Sequence, residues 1–220
     1  MKKIIKNILI LLSYFLYDAI FIVIAEMFGF NYFKTSRGNQ LLFSLITSLI
    51  FILFLFCVYR HEIKNEFKDF KENGKKHLKK YVIYYIIGVI AMGLSNLIIQ
   101  SITKTNLSAN EENVRNLIQD YPIYMSIISV ITAPIIEEFI FRKSFKNIFK
   151  LKYLFIIISG FIFGILHVAD FSNISQILLG IPYILMGIDF AYIYYKTDNL
   201  FVTLTFHSAH NLVLLIIQLI

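Results

Sequence analysis

The sequence has few of the residues on which soluble multidomain proteins and covalent networks depend. Charged residues make up 16% of the 220 positions, proline occurs three times, glycine nine times, and the one cysteine is Cys57. A single cysteine excludes an intramolecular disulfide and a thiolate metal cluster. So few prolines and glycines argue against several domains joined by flexible linkers. A single membrane domain is therefore expected over residues 1–220.

Apolar side chains dominate what the sequence does contain. Hydrophobic residues make up 58% of the chain and the mean hydropathy is +0.70, more than a soluble domain of this size can bury. A helix needs about 20 apolar residues to cross the hydrocarbon core. The sequence therefore predicts an all-α fold, a polytopic membrane helix bundle of about seven transmembrane helices, with eight as the alternative. The expected spans are residues 7–28, 40–59, 81–103, 122–149, 153–169, 174–195 and 199–219.

Lysine and arginine are distributed unevenly between the loops. Seventeen of the 21 basic residues fall on one side of the membrane if the N-terminus is cytoplasmic, as the positive-inside rule requires. The net charge of +7 is therefore attributed to topology and to contact with anionic lipid of the bilayer, and no nucleic acid is expected as a partner. Residues 60–80, which hold eight basic and four acidic residues, are predicted to form a surface helix on the cytoplasmic side.

The polar segment after the third span has the pattern of a helix start. Ser108 and Glu111 have the spacing of a capping box, in which the serine hydroxyl accepts a hydrogen bond at the helix N-terminus. We expect a short surface helix here, without a chemical role.

The fourth span contains charged residues at membrane depth, where each charge costs several kcal/mol unless it is paired or hydrated. Glu138 and Arg142 are four residues apart and so lie on one helical face, where they can form an ion pair. Glu137 points about 100° away and remains free for another task. Pro134 cannot donate a backbone hydrogen bond and is expected to kink the helix just before the two carboxylates.

Two later spans add imidazole and carboxamide groups. His167 lies in the fifth span, and His207 shares a face of the seventh span with Asn211. At about 1.5 Å per residue, Glu137 and His167 both lie roughly 20 Å from the turn between their helices, and His207 lies at about 17 Å from the same side. A lone histidine in a membrane often serves only to hydrogen-bond neighbouring helices. A common depth for these groups instead favours catalysis or transport.

The combination of carboxylates, imidazoles and a carboxamide at membrane depth indicates water as the nucleophile. Ser208 points away from His207 on the helix, and Cys57 lies in a span without an ionisable partner. Glu137, assisted by His167, is expected to deprotonate a water molecule that attacks a peptide carbonyl. His207 and Asn211 are expected to stabilise the oxyanion. Zinc held by Glu137, His167 and His207 is the less favoured alternative, since no HExxH pair is present.

The ordered motifs in residues 120–220 resemble the CPBP family of intramembrane peptidases, also called the Abi family, which comprises CAAX prenyl proteases and bacteriocin-processing enzymes. The resemblance implies a catalytic core over residues 120–220, preceded by N-terminal helices and loops in residues 1–119. It also implies eight helices, a glutamate-dependent mechanism without a metal cofactor, and the roles given above. The motifs that carry it are Glu137-Glu138-x-x-x-Arg142, Phe163-x-x-x-His167 and His207-x-x-x-Asn211.

The resemblance leaves substrate and physiology open. The composition looks bacterial, so we expect the bacterial cell membrane as the location. The expected substrate is a small peptide precursor or a membrane protein that enters from the cytoplasm or from the lipid. A non-catalytic scaffold or bacteriocin self-immunity protein is the main alternative, and a transporter is another, although the sequence shows no inverted repeat. Asp170 is a candidate to orient His167, and His210 is a candidate substitute for His207.

Overall fold

The computed structural model describes residues 2–219, and the regular secondary structure in that range is entirely helical. This confirms the expected all-α polytopic bundle. A short 3₁₀ turn, Tyr32–Lys34, lies between the first two helices. The helices are α1 (Lys2–Met27), α2 (Arg37–Val58), α3 (Arg60–Thr103), α4 (Ala109–Asp120), α5 (Pro122–Ile148), α6 (Lys152–Ile165), α7 (Ile174–Leu178), α8 (Ile181–Thr197) and α9 (Leu200–Leu219).

Six helical segments between residues 2 and 219 are long and apolar enough to cross a membrane: α1, α2, α3, α5, α7 with α8, and α9. The chain is therefore an integral membrane protein. The fifth predicted span, residues 153–169, is shorter than expected because α6 ends at Ile165. Its 14 residues cover about 21 Å of a core that is about 30 Å thick. The polar segment that follows breaks the helix, as Asp170 accepts hydrogen bonds from the Ser172 backbone and hydroxyl.

Segment 60–80 is helical, but it is not a separate surface helix as predicted. It continues without interruption into the third span, so that α3 has 44 residues and a length of about 66 Å. No proline interrupts it, and helix-favouring lysines and glutamates fill its first half. The Ser108 cap was correct, because the Ser108 hydroxyl accepts from the Glu111 backbone N–H at the start of α4, whereas the Glu111 carboxylate pairs with Arg115.

Polar contacts gather several helix ends at one end of the bundle. The Lys6 ammonium donates to the Val58 carbonyl over 2.9 Å, and Glu66 forms an ion pair with Lys143. The second Glu66 oxygen accepts from the Leu200 backbone N–H over 2.8 Å. The starts of α1, α3, α6 and α9 therefore lie together with the ends of α2, α5 and α8. We call this region the basic end, and the opposite region, where α4 lies, the α4 end.

Glycines bring α6 and α8 into backbone contact. Gly160 and Gly164 have the GxxxG spacing that lets membrane helices approach closely. A Cβ added at Gly160 would lie 2.6 Å from the Ile188 nitrogen and 2.8 Å from its Cα. On the other helix, a Cβ at Gly187 would lie 2.9 Å from the Gly160 carbonyl oxygen. This contact fixes the distance between the helices that hold His167 and Phe190.

We expect Gly160→Ala to destabilise the protein by about 1–3 kcal/mol, since the backbone of α8 must move away. Gly93→Ala is the matched control, because an added Cβ there meets no atom within 4 Å. Alanine at that helical position should be neutral or stabilise by up to about 1 kcal/mol. The measurement is the free energy of unfolding in mixed detergent micelles. Equal effects of the two substitutions would contradict a tight α6–α8 contact.

Candidate active site

Helix α5 is irregular around the two adjacent glutamates. It contains two π-helical segments, Ile128–Thr132 and Glu138–Ser144, with one turn of α-helix between them, Ala133–Glu137. Widened π turns are frequent at functional sites because they leave backbone carbonyls without their usual partners. The distortion expected at Pro134 therefore takes the form of two widened turns, one on each side of the proline turn.

The first widened turn positions Asn211. The Ala133 N–H bonds to the Ile128 carbonyl, one residue further back than in an α-helix. The next residue, Pro134, has no N–H to offer to the Ser129 carbonyl. The Asn211 side chain of α9 donates to this carbonyl over 2.8 Å. Because a carboxamide nitrogen has two hydrogens, the second N–H of Asn211 remains available.

The second widened turn connects to Arg142 in the same way. The Phe145 N–H bonds to the Ile140 and Arg142 carbonyls and bypasses Phe141. The Ser159 hydroxyl of α6 donates to the Phe141 carbonyl over 2.5 Å. The same hydroxyl accepts from the Arg142 Nη1 over 2.8 Å. Ser159 thus links the distorted helix to the guanidinium, a role that no pattern in the sequence indicates.

Glu138 and Arg142 form the ion pair that their spacing predicts. The Arg142 Nε lies 3.3 Å from the Glu138 Oε2, and both side chains are fully buried. The guanidinium also lies over the Phe163 ring at 5.0 Å from its centroid. The other Glu138 oxygen, Oε1, lies 3.0 Å from the His207 Nδ1. A carboxylate accepts, so His207 donates from Nδ1, and the tautomer of the imidazole is fixed.

His207 connects the buried pair with Glu137. Its Nε2 lies 3.6 Å from the Glu137 Oε2, and its ring stacks on Phe190 at 4.9 Å between centroids. With Nδ1 donating to Glu138, Nε2 is the ring nitrogen that faces Glu137.

His167 lies in the turn that follows α6, where its ring is held on two sides. The Nδ1 lies 2.8 Å from the Phe163 carbonyl, which can only accept, so Nδ1 is protonated and Nε2 is an acceptor. The ring stacks on Tyr183 at 4.6 Å between centroids and 15° between planes. An imidazole held in this tautomer can accept a proton from water at Nε2.

Glu137, His167 and Asn211 line one cavity of about 430 Å³. Glu137 keeps 19% of its side chain exposed, whereas His207 keeps 4% and does not line the cavity. Residues from α1, α4, α5, α6, α8 and α9 surround it, and most of its surface is apolar. The structure therefore brings three of the predicted side chains to the cavity wall and places Glu138, Arg142 and His207 behind them.

Two candidates have other partners. The Asp170 carboxylate is engaged by Ser172, whose hydroxyl and N–H hold the pKa of that carboxyl below its usual range. His167 is oriented by the Phe163 carbonyl instead. His210 lies 3.4 Å from the Tyr85 hydroxyl, on the side of α9 that faces α3. Tyr183 was missed by the sequence analysis because an aromatic residue in an apolar helix gives no signal of a contact with His167.

Metal ligation was the alternative reading of the same residues. Across residues 2–219, no group of three histidine, cysteine, aspartate or glutamate side chains has the arrangement of a metal site. Of the three expected ligands, Glu137 and His207 lie 3.6 Å apart.

The fold and the cavity define a class: a helical integral membrane protein with carboxylates, imidazoles and a carboxamide gathered inside the bundle. Comparison with known proteins adds a family to which part of the chain is similar. The family model for type II CAAX prenyl endopeptidases, Rce1-like, matches residues 119–213, which include all the candidate residues. This region of the chain is therefore similar to the Rce1-like membrane peptidases.

Individual proteins are also similar to this chain. A Bacillus subtilis (strain 168) protein described as "Putative membrane peptidase YdiL" is 36% identical over 51% of this chain and 44% of its own length. An uncharacterised Mycoplasma capricolum protein is 30% identical over 79% of this chain and 54% of its own. The UPF0177 protein YaiF of Lactococcus lactis is 24% identical over 96% of this chain and 97% of its own. The chain spans about half the length of the first two relatives, and no solved structure matches it.

The buried ion pair leads to a stability prediction. We expect Arg142→Met to cost about 3–5 kcal/mol, because it leaves the Glu138 charge buried without its partner. Arg115→Met is the control, since Arg115 pairs with Glu111 at the same four-residue spacing but on an exposed surface, where such a pair contributes about 0–1 kcal/mol. Unfolding free energies of both variants in detergent test the difference, which a similar loss in both would contradict.

Proposed function

We propose that this protein is an intramembrane endopeptidase that hydrolyses peptide bonds with a water molecule activated by Glu137. The observation that supports it most is the cavity inside the bundle, which has a half-buried carboxylate, an imidazole acceptor and a carboxamide donor on its wall. These are the three groups that amide hydrolysis by water needs. Similarity of residues 119–213 to a peptidase family supports the same conclusion.

In the proposed mechanism, Glu137 and His167 share the task of activating water. Glu137 in its ionised form accepts a proton from water in the cavity, and the resulting hydroxide attacks the carbonyl carbon of the peptide. His167 orients this water through its Nε2 acceptor. Collapse of the tetrahedral intermediate breaks the C–N bond, and the proton held by Glu137 passes to the leaving amine. The products are a carboxylic acid and an amine, and water is the one co-reactant.

Asn211 is the oxyanion donor in this proposal. Its free N–H faces a cavity whose wall it forms, while its first N–H is anchored on Ser129. The sequence suggested that His207 shares this role. Because His207 is 4% exposed and contacts Glu137, we assign to it the orientation of Glu137. Arg142 and Glu138 act through His207 as positioning residues.

We expect Glu137→Gln to lower peptide cleavage at least about 100-fold while the fold is retained, because glutamine cannot accept the proton of water. His167→Ala should lower cleavage by about 100-fold to 10,000-fold. The assay uses purified protein in proteoliposomes with a pool of fluorescence-quenched peptides that have apolar residues around the cleavable bonds, and mass spectrometry of the products. Glu112→Gln and His61→Ala, both exposed and outside the site, are the controls. Unchanged cleavage by Glu137→Gln would rule out this mechanism.

The role of Asn211 as oxyanion donor can be tested separately from its hydrogen bond to the Ser129 carbonyl. We expect Asn211→Ala to lower the turnover rate by about 100-fold to 1,000-fold and the stability by about 1–3 kcal/mol, since the Ser129 carbonyl loses its donor. Adding Pro134→Ala supplies a new backbone N–H next to that carbonyl. The double variant should regain stability but not turnover. Recovery of both would show that Asn211 acts only on the helix backbone.

A further inference from the structure

We propose that the substrate reaches this cavity from the side of the membrane opposite the basic end, which is the extracytoplasmic side. The proposal rests on the proposed peptidase function. It identifies the substrate class as a peptide segment, apolar around the cleaved bond, that is exposed outside the cytoplasm. It replaces the cytoplasmic entry that the sequence alone suggested.

The first argument for this entry side is the position of the cavity-lining residues along each helix. Helix α9 contributes residues only from its second half, ending at Gln218, and α8 contributes Tyr183 near its start. Leu166 and His167, in the turn that follows α6, also line the cavity. All these helix ends lie away from the basic end, so the cavity extends from the depth of Glu137 towards the α4 end.

Helix α4 forms the outer wall of the cavity. Asn110, Glu111, Val114, Arg115 and Ile118 line it, although α4 is a polar helix outside the predicted spans. On the way to the basic end, by contrast, the cavity is closed by the fully buried Glu138 and Arg142 and by buried phenylalanines. A peptide that enters past α4 reaches Glu137 without crossing the ion pair.

The second argument is the difference in basic residues between the two ends of the bundle. The basic end and the adjoining first half of α3 hold the lysine excess, including Lys143, Lys146, Lys150 and Lys152 beside a second, smaller cavity. The α4 end has few basic residues. Short loops rich in lysine and arginine remain in the cytoplasm, so the α4 end and the cavity mouth face the outside.

The lining chemistry defines the segment that fits. Glu111 and Arg115 lie 2.6 Å apart and neutralise each other at the mouth. Deeper walls are apolar or aromatic, with Tyr14, Met125 and Phe141 among them. A volume of about 430 Å³ admits a few residues of an extended chain. A neutral, apolar peptide segment therefore fits better than a highly charged one.

Thiol labelling tests the orientation without any substrate. In a Cys57→Ser background, which removes the native thiol, single cysteines replace the exposed Glu112 on α4 or the exposed Lys150 at the basic end. A membrane-impermeant maleimide added to intact cells should label the Glu112→Cys protein, and it should label the Lys150→Cys protein only after the cells are permeabilised. The reverse pattern would overturn the proposal and leave the proposed chemistry intact.

Sidedness of cleavage tests the entry route. The same quenched peptide pool is added to right-side-out and inside-out membrane vesicles, with Glu137→Gln vesicles as the blank. We expect at least about tenfold faster cleavage in right-side-out vesicles, and equal rates after detergent is added. Faster cleavage in inside-out vesicles overturns the proposal. Absence of cleavage in both preparations and in detergent overturns the peptidase function on which it rests.

Discussion

The site depends on one interaction, the fully buried ion pair between Glu138 and Arg142. Removing both charges from water costs several kcal/mol per ion, and their attraction offsets this only when further hydrogen bonds complete the geometry. Ser159, His207 and the rings around the guanidinium supply those contacts. Side chains from four helices, α5, α6, α8 and α9, meet at this pair.

The backbone of α5 connects this pair to the cavity. Two widened turns each leave a carbonyl without its α-helical donor, and a side chain from a neighbouring helix satisfies each one. Asn211 and Ser159 are therefore held by the backbone irregularity itself. A regular α-helix would bond these carbonyls within its own backbone.

The arrangement separates a buried layer from an accessible layer. Glu138, Arg142 and His207 form the buried layer, and Glu137, His167 and Asn211 face the cavity. The two layers meet at the Glu137–His207 contact, where the His207 Nε2 lies 3.6 Å from the Glu137 Oε2.

The sequence by itself determined the helical membrane fold, because 58% hydrophobic residues in long runs admit few other solutions. It also identified the Glu138–Arg142 pair and the Ser108 cap, since both depend on contacts three or four residues apart. Local spacing could not show that segment 60–80 joins the third span or that α6 ends at Ile165.

Only the tertiary structure decided how the groups divide between the cavity wall and the layer behind it, and which end of the bundle the cavity faces. Ser159, Tyr183 and Ser129 enter the site through contacts between helices that are far apart in sequence. A pattern within one helix gives the face on which a side chain lies, but packing between helices decides what that face meets.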